Sequence, residues 1–383
     1  MAQVPIKIAH WPCYAEDEIE AVREVLHSGK PNYWGGGKCI EFEELFAQWV
    51  GAKHGLSVFN GTQALEIALK AAGIQHGDEV VVTPRSFLAS AAAVVAVGGI
   101  PVFADVDYES GNLTAETIRE VLTDKTKGIL VVHLGGWPAD MNDIMELANA
   151  KGLIVIEDCA QSHGATYHGQ RVGSIGHVAA FSFCQDKIMS TGGEGGMITT
   201  NDSKIRDIAW SLRDHGRDRQ MTLSDNHPPG FRWLQTRFAT NARMTEMQAA
   251  IGLVQLQKVD DWVYQRKQNS EMFASFLQEV EGCYIPSPPP DVSHAYYRLS
   301  VILDTESNRN DFIVQLNSLG VNASIGPCPE IYKETAFVEA PFETPIELSI
   351  AHKLGKVTMA LPVHPGMEHS ISLIMEEIDV IHA

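Results

Sequence analysis

The sequence predicts an α/β protein, with a large, mostly parallel sheet covered by helices on both faces and a small α+β unit after it. Three observations predict this. Short apolar runs alternate with amphipathic helical patterns between His54 and Thr200. Runs such as "GILVV" and the "LIVI" of "LIVIED" are apolar throughout, as strands buried on both faces are. Beyond Pro286, Pro288, Pro289 and Pro290 the pattern shortens to strand, helix, strand.

The elements follow in order. Residues 15–29 carry Ile19, Val22, Val25 and Leu26 at helical spacing. "FEELFAQWVG" continues as helix and stops at Gly51. "HGLSVF" is a predicted strand, and "GTQALEIALKAAG" a helix closed by its C-terminal glycine. "DEVVVTP", "IPVFADVD", "KGILVVHL" and "LIVIEDC" are strands; between them lie the helices "SFLASAAAVVAVGG", "TAETIREVLT" and "MNDIMELANAKG". "VAAFSF" and "GGMITTN" add two strands, and this last piece need not be parallel. One long helix is predicted from Thr245 to about Leu277, linking two domains with a boundary near residue 260: 1–260 and 261–383. In the second, "YYRLSVIL", "NDFIVQLNSLG" and "VNASIG" give a strand, a helix and a strand.

A chain of 383 residues exceeds one ordinary core and is long enough for two. Its 29 basic against 48 acidic residues give a net charge of −19, which supplies no general footprint for nucleic acid or an anionic membrane. Cys13, Cys39, Cys159, Cys184, Cys283 and Cys328 stand singly with no CxxC pair, so no metal site is expected and reduced, packed thiols are. There is no run of about 20 apolar residues and no signal-like start, and the expectation is a cytoplasmic protein.

Three pieces at strand ends carry chemistry. In "NGTQALEIAL" a strand gives way to a helix whose N-terminal amides suit a phosphate, with Gly61 allowing close approach and Thr62 adding a hydroxyl; an ordinary helix cap is the alternative. In "IEDCAQSHGA", Asp158 follows a buried strand at the edge where α/β sheets bind ligands, and it too can be a cap. In "FSFCQDKIMSTGGEGGMI", Ser182 ends a strand and Lys187 precedes a glycine cluster. A lone loop lysine is normally a surface charge, but an amine near a phosphate cradle and a carboxylate can form a Schiff base with a carbonyl. Phosphate cradle, acid and amine are the parts that pyridoxal 5′-phosphate requires.

At these residues the chain resembles the DegT/DnrJ/EryC1/StrS sugar aminotransferases, among the fold type I pyridoxal phosphate enzymes. "NGTQALEIAL", "TPRSFLAS", "PVFADVD", "HLGGWPADM", "EDCAQSHGA", "FSFCQDKIMSTGGEGGMITTND", "LRDHGR", "NARMTEMQAAIGLVQL", "HAYYRL" and "LPVHP" carry the resemblance over nearly the whole length. It implies a seven-stranded large sheet and a homodimer with shared sites. Lys187 matches the lysine that holds the cofactor and acts as general base. Asp158 matches the acid facing the pyridine nitrogen, Gln161 the neighbour of the ring hydroxyl and Phe87 the stacking aromatic. Gly61, Thr62 and Ser182 match phosphate ligands, and Asn241 an asparagine that reaches the neighbouring subunit's phosphate.

Two departures stand out. "IMSTGG" between Lys187 and Glu194 is one residue longer than is common, and "ATNAR" lacks the aromatics that usually flank the asparagine. The implied reaction moves an amino group from an amino acid, L-glutamate by resemblance, to a keto-sugar. "HWPCY" and "NYWGGGK" resemble the enzyme making 8-amino-3,8-dideoxy-octulosonate, a surface-polysaccharide sugar. A nucleotide-linked keto-sugar is the alternative acceptor. A dehydratase and a cofactor-binding sensor are the alternative classes; relatives that dehydrate sugars replace the lysine by histidine, and Lys187 argues against that. His163 is read either as a cofactor neighbour or as a packed histidine, and "RDHGRDR" as a solvated loop or a source of positive charge for an anionic substrate.

Overall fold

A computed structural model describes residues 6–224, 233–326, 329–340, 342 and 346–382. Seven strands form the large sheet: β1 (His54–Val58), β2 (Glu79–Val82), β3 (Ile100–Phe103), β4 (Thr126–Val132), β5 (Ile154–Asp158), β6 (Val178–Ser182) and β7 (Gly196–Thr200). Their spatial order is β1-β7-β6-β5-β4-β2-β3. The pairs from β3 to β6 are parallel, while β7 runs antiparallel to both β6 and β1. No helix lies between β6 and β7, and without a crossover only an antiparallel return is available. Two reversals in a row leave β1 pointing the same way as β6, so the C-terminal ends of β1, β2, β5 and β6 all meet at one edge.

Most of the helices close an apolar stripe over this sheet, while the first packs on the helix that begins at Glu246 and leaves Ile19 and Leu26 exposed. The helices are α1 (Glu16–Ser28), α2 (Lys38–Val50), α3 (Gly61–Ala71), α4 (Ala89–Ala96), α5 (Ala115–Val121), α6 (Met141–Lys151) and α7 (Ser203–Arg213). α3 buries Ala64, Leu65, Ile67, Ala68 and Leu69 against the sheet core. On the other side, Phe46 of α2 packs edge-on to Phe181 and Phe183 around β6, and Phe42 lies tilted against Phe183. At about 25 cal/mol per Å² of apolar surface, such phenylalanines supply much of the driving force for this layer.

The long helix predicted over 245–277 is two helices, α8 (Glu246–Leu256) and α9 (Val259–Leu277). Apolar periodicity runs across the junction, and the break at Gln257 and Lys258 has no glycine or proline to announce it. Thr245 caps α8 in a reciprocal pair with Gln248. Residue 260 falls in the first turn of α9. This helix joins two cores: Val259 packs beneath the large sheet, and Phe273 and Leu277 pack into the second core. The second core backs a three-stranded antiparallel sheet of β8 (Cys283–Tyr284), β9 (Leu299–Leu303) and β10 (Thr358–Leu361), with β9 central. Helices α10 (Glu306–Ser318), α11 (Ser349–Val357) and α12 (Glu368–His382) accompany it.

The strand expected at "VNASIG" does not form; Ser324 makes only an isolated bridge with Ala360. Its place belongs to β10, which follows α11 with no turn residue between them, so that the apolar pattern continues unbroken from helix into strand. Among the described residues, no helix is long and apolar enough to cross a membrane. Cys13, Cys39, Cys159, Cys184 and Cys283 are free thiols; Cys328 lies outside the described residues.

Candidate active site

Asn60, two residues past the end of β1, caps α3, its side chain accepting from the Gln63 amide at 2.9 Å. A helix's first amides have no partner within the helix, and those of Gly61 and Thr62 remain at the wall of a cavity of about 360 Å³. Gly61 lies against the end of β6: a Cβ there would sit 2.6 Å from Ser182 Cβ and 3.0 Å from its Oγ. Only a residue without a side chain lets the helix start press this closely on Ser182.

The same cavity is lined by Phe87, Ser90, Asp158, Gln161, Ser182, Asp186, Lys187 and Tyr297. Seven of the eight residues assigned from sequence thus converge: Gly61, Thr62, Phe87, Asp158, Gln161, Ser182 and Lys187. Asn241 does not line it; it is exposed and pairs by a backbone bridge with Asp214.

Asp158 is buried at the end of β5. Its Oδ2 accepts from the Ser90 hydroxyl at 2.8 Å and its Oδ1 from the Ala160 amide at 3.1 Å. Burial raises its carboxyl above the ordinary 3.8, against the pull of these two donors and of the Lys187 charge. Beside it, Glu157 points to the opposite face of the strand. Burial would raise Glu157 too, but His133 at 3.0 Å and the amides of Gly173 and Gly176 outweigh it and hold the carboxyl below its ordinary 4.5.

Lys187 has a side chain only 13% exposed. Its Nζ lies 3.4 Å from Asp186, 3.5 Å from the Tyr297 hydroxyl and 5.0 Å from the centre of the Tyr297 ring. Burial alone would lower the ammonium; Tyr297 and Asp186 outweigh it and hold it above 10.5. Tyr297 in turn donates to Asp186. The backbone of the lysine loop is braced from the N-terminal segment: Trp11 Nε1 donates to the Lys187 carbonyl at 2.8 Å, and the Tyr14 hydroxyl meets Ser190 Oγ at 3.1 Å.

Ser90, Asp186 and Tyr297 were missed from the sequence. Ser90 follows Phe87 by three and Asp186 directly precedes Lys187, a proximity that is a usable signal; Tyr297 arrives from the far end of the chain. His163 does not line the cavity. It packs at 5.5 and 5.7 Å from the Phe181 and Phe183 rings, and burial pushes it down to about 3. The solvated-loop reading of "RDHGRDR" is corrected: Arg213 and Asp214 are fully buried. Arg213 pairs with Glu43 and stacks 4.3 Å over Tyr33, and Asp214 accepts from Arg243 and Trp34. Those partners lie far away in sequence, which is why the local charge pattern suggested solvent.

A family model, the DegT/DnrJ/EryC1/StrS aminotransferase family, matches residues 12–378. The chain belongs to that family. It is 35% identical over 351 residues to a GDP-perosamine synthase of Caulobacter vibrioides, covering 90% of each chain. It is 33% identical to the dTDP-3-amino-3,6-dideoxy-alpha-D-galactopyranose transaminase of Aneurinibacillus thermoaerophilus, covering 96% of this chain and 95% of the other. Among solved structures, an aminotransferase from Psychrobacter cryohalolentis superposes with a TM-score of 0.94 at 45% identity, over 98% of this chain and 99% of that one. The protein is a pyridoxal 5′-phosphate-dependent sugar aminotransferase. The cavity suits that cofactor: a helix start with an unfilled glycine cradle and hydroxyls for a phosphate, a buried carboxylate in need of a cation, and a buried amine at one opening.

Proposed function

We propose that the enzyme transfers an amino group from L-glutamate to a nucleotide-linked keto-sugar, for the synthesis of a surface-polysaccharide amino sugar in the cytoplasm. The observation that carries this reading is the enclosed Lys187 amine facing the buried Asp158 across one cavity, in a chain similar to named nucleotide-sugar transaminases. "HWPCY" and "NYWGGGK", which pointed to octulosonate, have other work here. Trp11 and Tyr14 brace the lysine loop, Tyr33 and Trp34 engage Glu43 and Asp214, and the amides of Gly37 and Lys38 donate to Glu246. None of these residues lines the Lys187 cavity. No relative described above carries an octulosonate name.

Gly61, Thr62 and Ser182 hold the cofactor's phosphate, Asp158 its ring nitrogen, Gln161 its hydroxyl and Phe87 its face, with Asn241 serving the neighbouring subunit of a homodimer. When bound, the cofactor would supply an aldehyde to carry the amino group and a ring to take up the electrons left by the departing α proton. Asp158 stays ionised opposite a protonated ring nitrogen, because the positive partner offsets the penalty of its burial. In its neutral form the Lys187 amine takes the proton from the donor's α carbon, and as the ammonium it gives a proton to the acceptor's carbonyl carbon. Asp186 and Tyr297 set the amine's position and its charge between these transfers. Purified enzyme incubated with L-glutamate and a GDP-, dTDP- or UDP-linked 4-keto-6-deoxy sugar is expected to release 2-oxoglutarate and form the amino sugar, and Lys187→Ala to abolish both. Product formation by Lys187→Ala, or sugar conversion without 2-oxoglutarate, refutes the assignment.

A further inference from the structure

The Lys187 cavity continues into a second pocket of about 230 Å³; Ser86, Gln161, Asp186 and Tyr297 line both. Two arginines, Arg85 and Arg298, line this second pocket and not the first. Arg85 is 6% exposed. Its Nη2 donates to Thr358 Oγ1 at 3.3 Å, and its Nε has no partner. Among the described residues, neither arginine has a carboxylate within ion-pair distance. The acid whose charge Arg85 feels, Glu330, is already engaged by Lys333 and His352 at 2.8 Å and by Tyr332. Burial pushes the Arg85 guanidinium down to about 10. Arg298 lies 4.9 Å over the Tyr297 ring. Asp186, the acid on the pocket wall, is taken by Tyr297 and Lys187.

A buried guanidinium without a counter-charge is strongly unfavourable. Its planar fork matches a carboxylate with two parallel hydrogen bonds. We propose that Arg85, with Arg298, forms a carboxylate subsite that takes the side-chain carboxylate of the amino donor and so presents the donor's α carbon to Lys187. This deepens the aminotransferase reading and rests on it. The pocket holds a short acidic chain and is too small for a nucleotide. A dicarboxylic amino acid has its second carboxylate at the end of such a chain. The same chemistry on a sugar acid is the other possible source, and the test separates the two.

The test titrates the holoenzyme calorimetrically with glutarate and with glucuronate, in wild type, Arg85→Met and Arg298→Met. Glutarate is expected to bind wild type, and each substitution to weaken it by about 10- to 150-fold, the range for a charged hydrogen bond. The ligand-free Arg85→Met protein is expected to melt at or above the wild-type temperature, since an uncompensated buried charge is gone. A role confined to holding the fold would lower it. Equal glutarate binding by wild type and both variants overturns the subsite. Arg85-dependent binding of glucuronate without binding of glutarate overturns the donor assignment in favour of a sugar acid. If Arg85→Met does not fold, the half-exposed Arg298→Met carries the same comparison. The glutamate half-reaction, followed by 2-oxoglutarate release, keeps the two levels apart: its absence in wild type refutes the aminotransferase reading, whereas its presence with an unchanged glutamate KM in Arg85→Met refutes only the subsite.

Discussion

The close approach of Gly61 to Ser182 sets up a sharp mutational prediction. In Gly61→Ala the new Cβ meets Ser182 Cβ at 2.6 Å, Oγ at 3.0 Å and Cα at 3.1 Å. The hydroxyl can rotate away; Cβ and Cα cannot. The overpacking penalty therefore belongs at the upper end of the usual range, about 2–3 kcal/mol. Alanine's smaller unfolded-state entropy offsets about 0.4–1 kcal/mol of that. The net loss is about 1–2.5 kcal/mol by these two ranges. A chain of 383 residues has an unfolding entropy of about 0.8 kcal/mol per degree, so the cofactor-free protein should melt about 1–3 °C lower. The decisive assay is a double-mutant cycle by thermal unfolding. Ser182→Gly removes the clashing atom and should couple favourably to Gly61→Ala by about 1 kcal/mol or more, whereas Ser182→Ala keeps the Cβ and should couple by about zero. Cofactor retention should fall in Gly61→Ala, because the methyl group occupies the phosphate cradle. A wild-type melting temperature for Gly61→Ala, or equal coupling to Ser182→Ala and Ser182→Gly, would refute the cradle geometry.

Two further predictions concern groups around the site. Glu157, held below its ordinary 4.5 by His133 and two amides, contributes stability that is present above that pH and lost as pH falls through its lowered folded-state value. Glu157→Gln should flatten this acid limb of the unfolding profile and reduce stability at neutral pH by about 1–3 kcal/mol; an unchanged acid limb would show that the carboxylate is not charged in the fold. For the shared site, inactive Lys187→Ala and Asn241→Ala proteins, unfolded, mixed and refolded together, should recover up to about a quarter of wild-type activity, because half the dimers would be mixed and each would hold one intact site. No recovery would remove the role given to Asn241.

Much of the large sheet was legible because its strands are buried on both faces and separated by glycine-closed helices, a pattern local enough to read. The phosphate end was legible for the same reason: Asn60, Gly61 and Thr62 sit at a strand–helix junction, and such junctions carry their own chemistry. What was hidden depends on distance along the chain. Tyr297 reaches Lys187 across 110 residues and Arg213 reaches Glu43 across 170, with nothing in either neighbourhood to announce the partner. The break between α8 and α9 and the strand β10 were hidden differently, since each follows a helix with no turn residue to mark the change.

The antiparallel return of β7 bears on how this enzyme class can vary. Ser182 and Gly196 are register partners, so the segment carrying the amine leaves and rejoins the sheet at adjacent positions, like a bight of rope made fast at both ends. Lengthening it by one residue would add little to the entropy of closing it and would leave both moorings where they were. Trp11 and Tyr14 hold the slack at two points within it. The reactive group can therefore keep its station while the segment beyond it changes length, and new substrates can be accommodated without rebuilding the anchor.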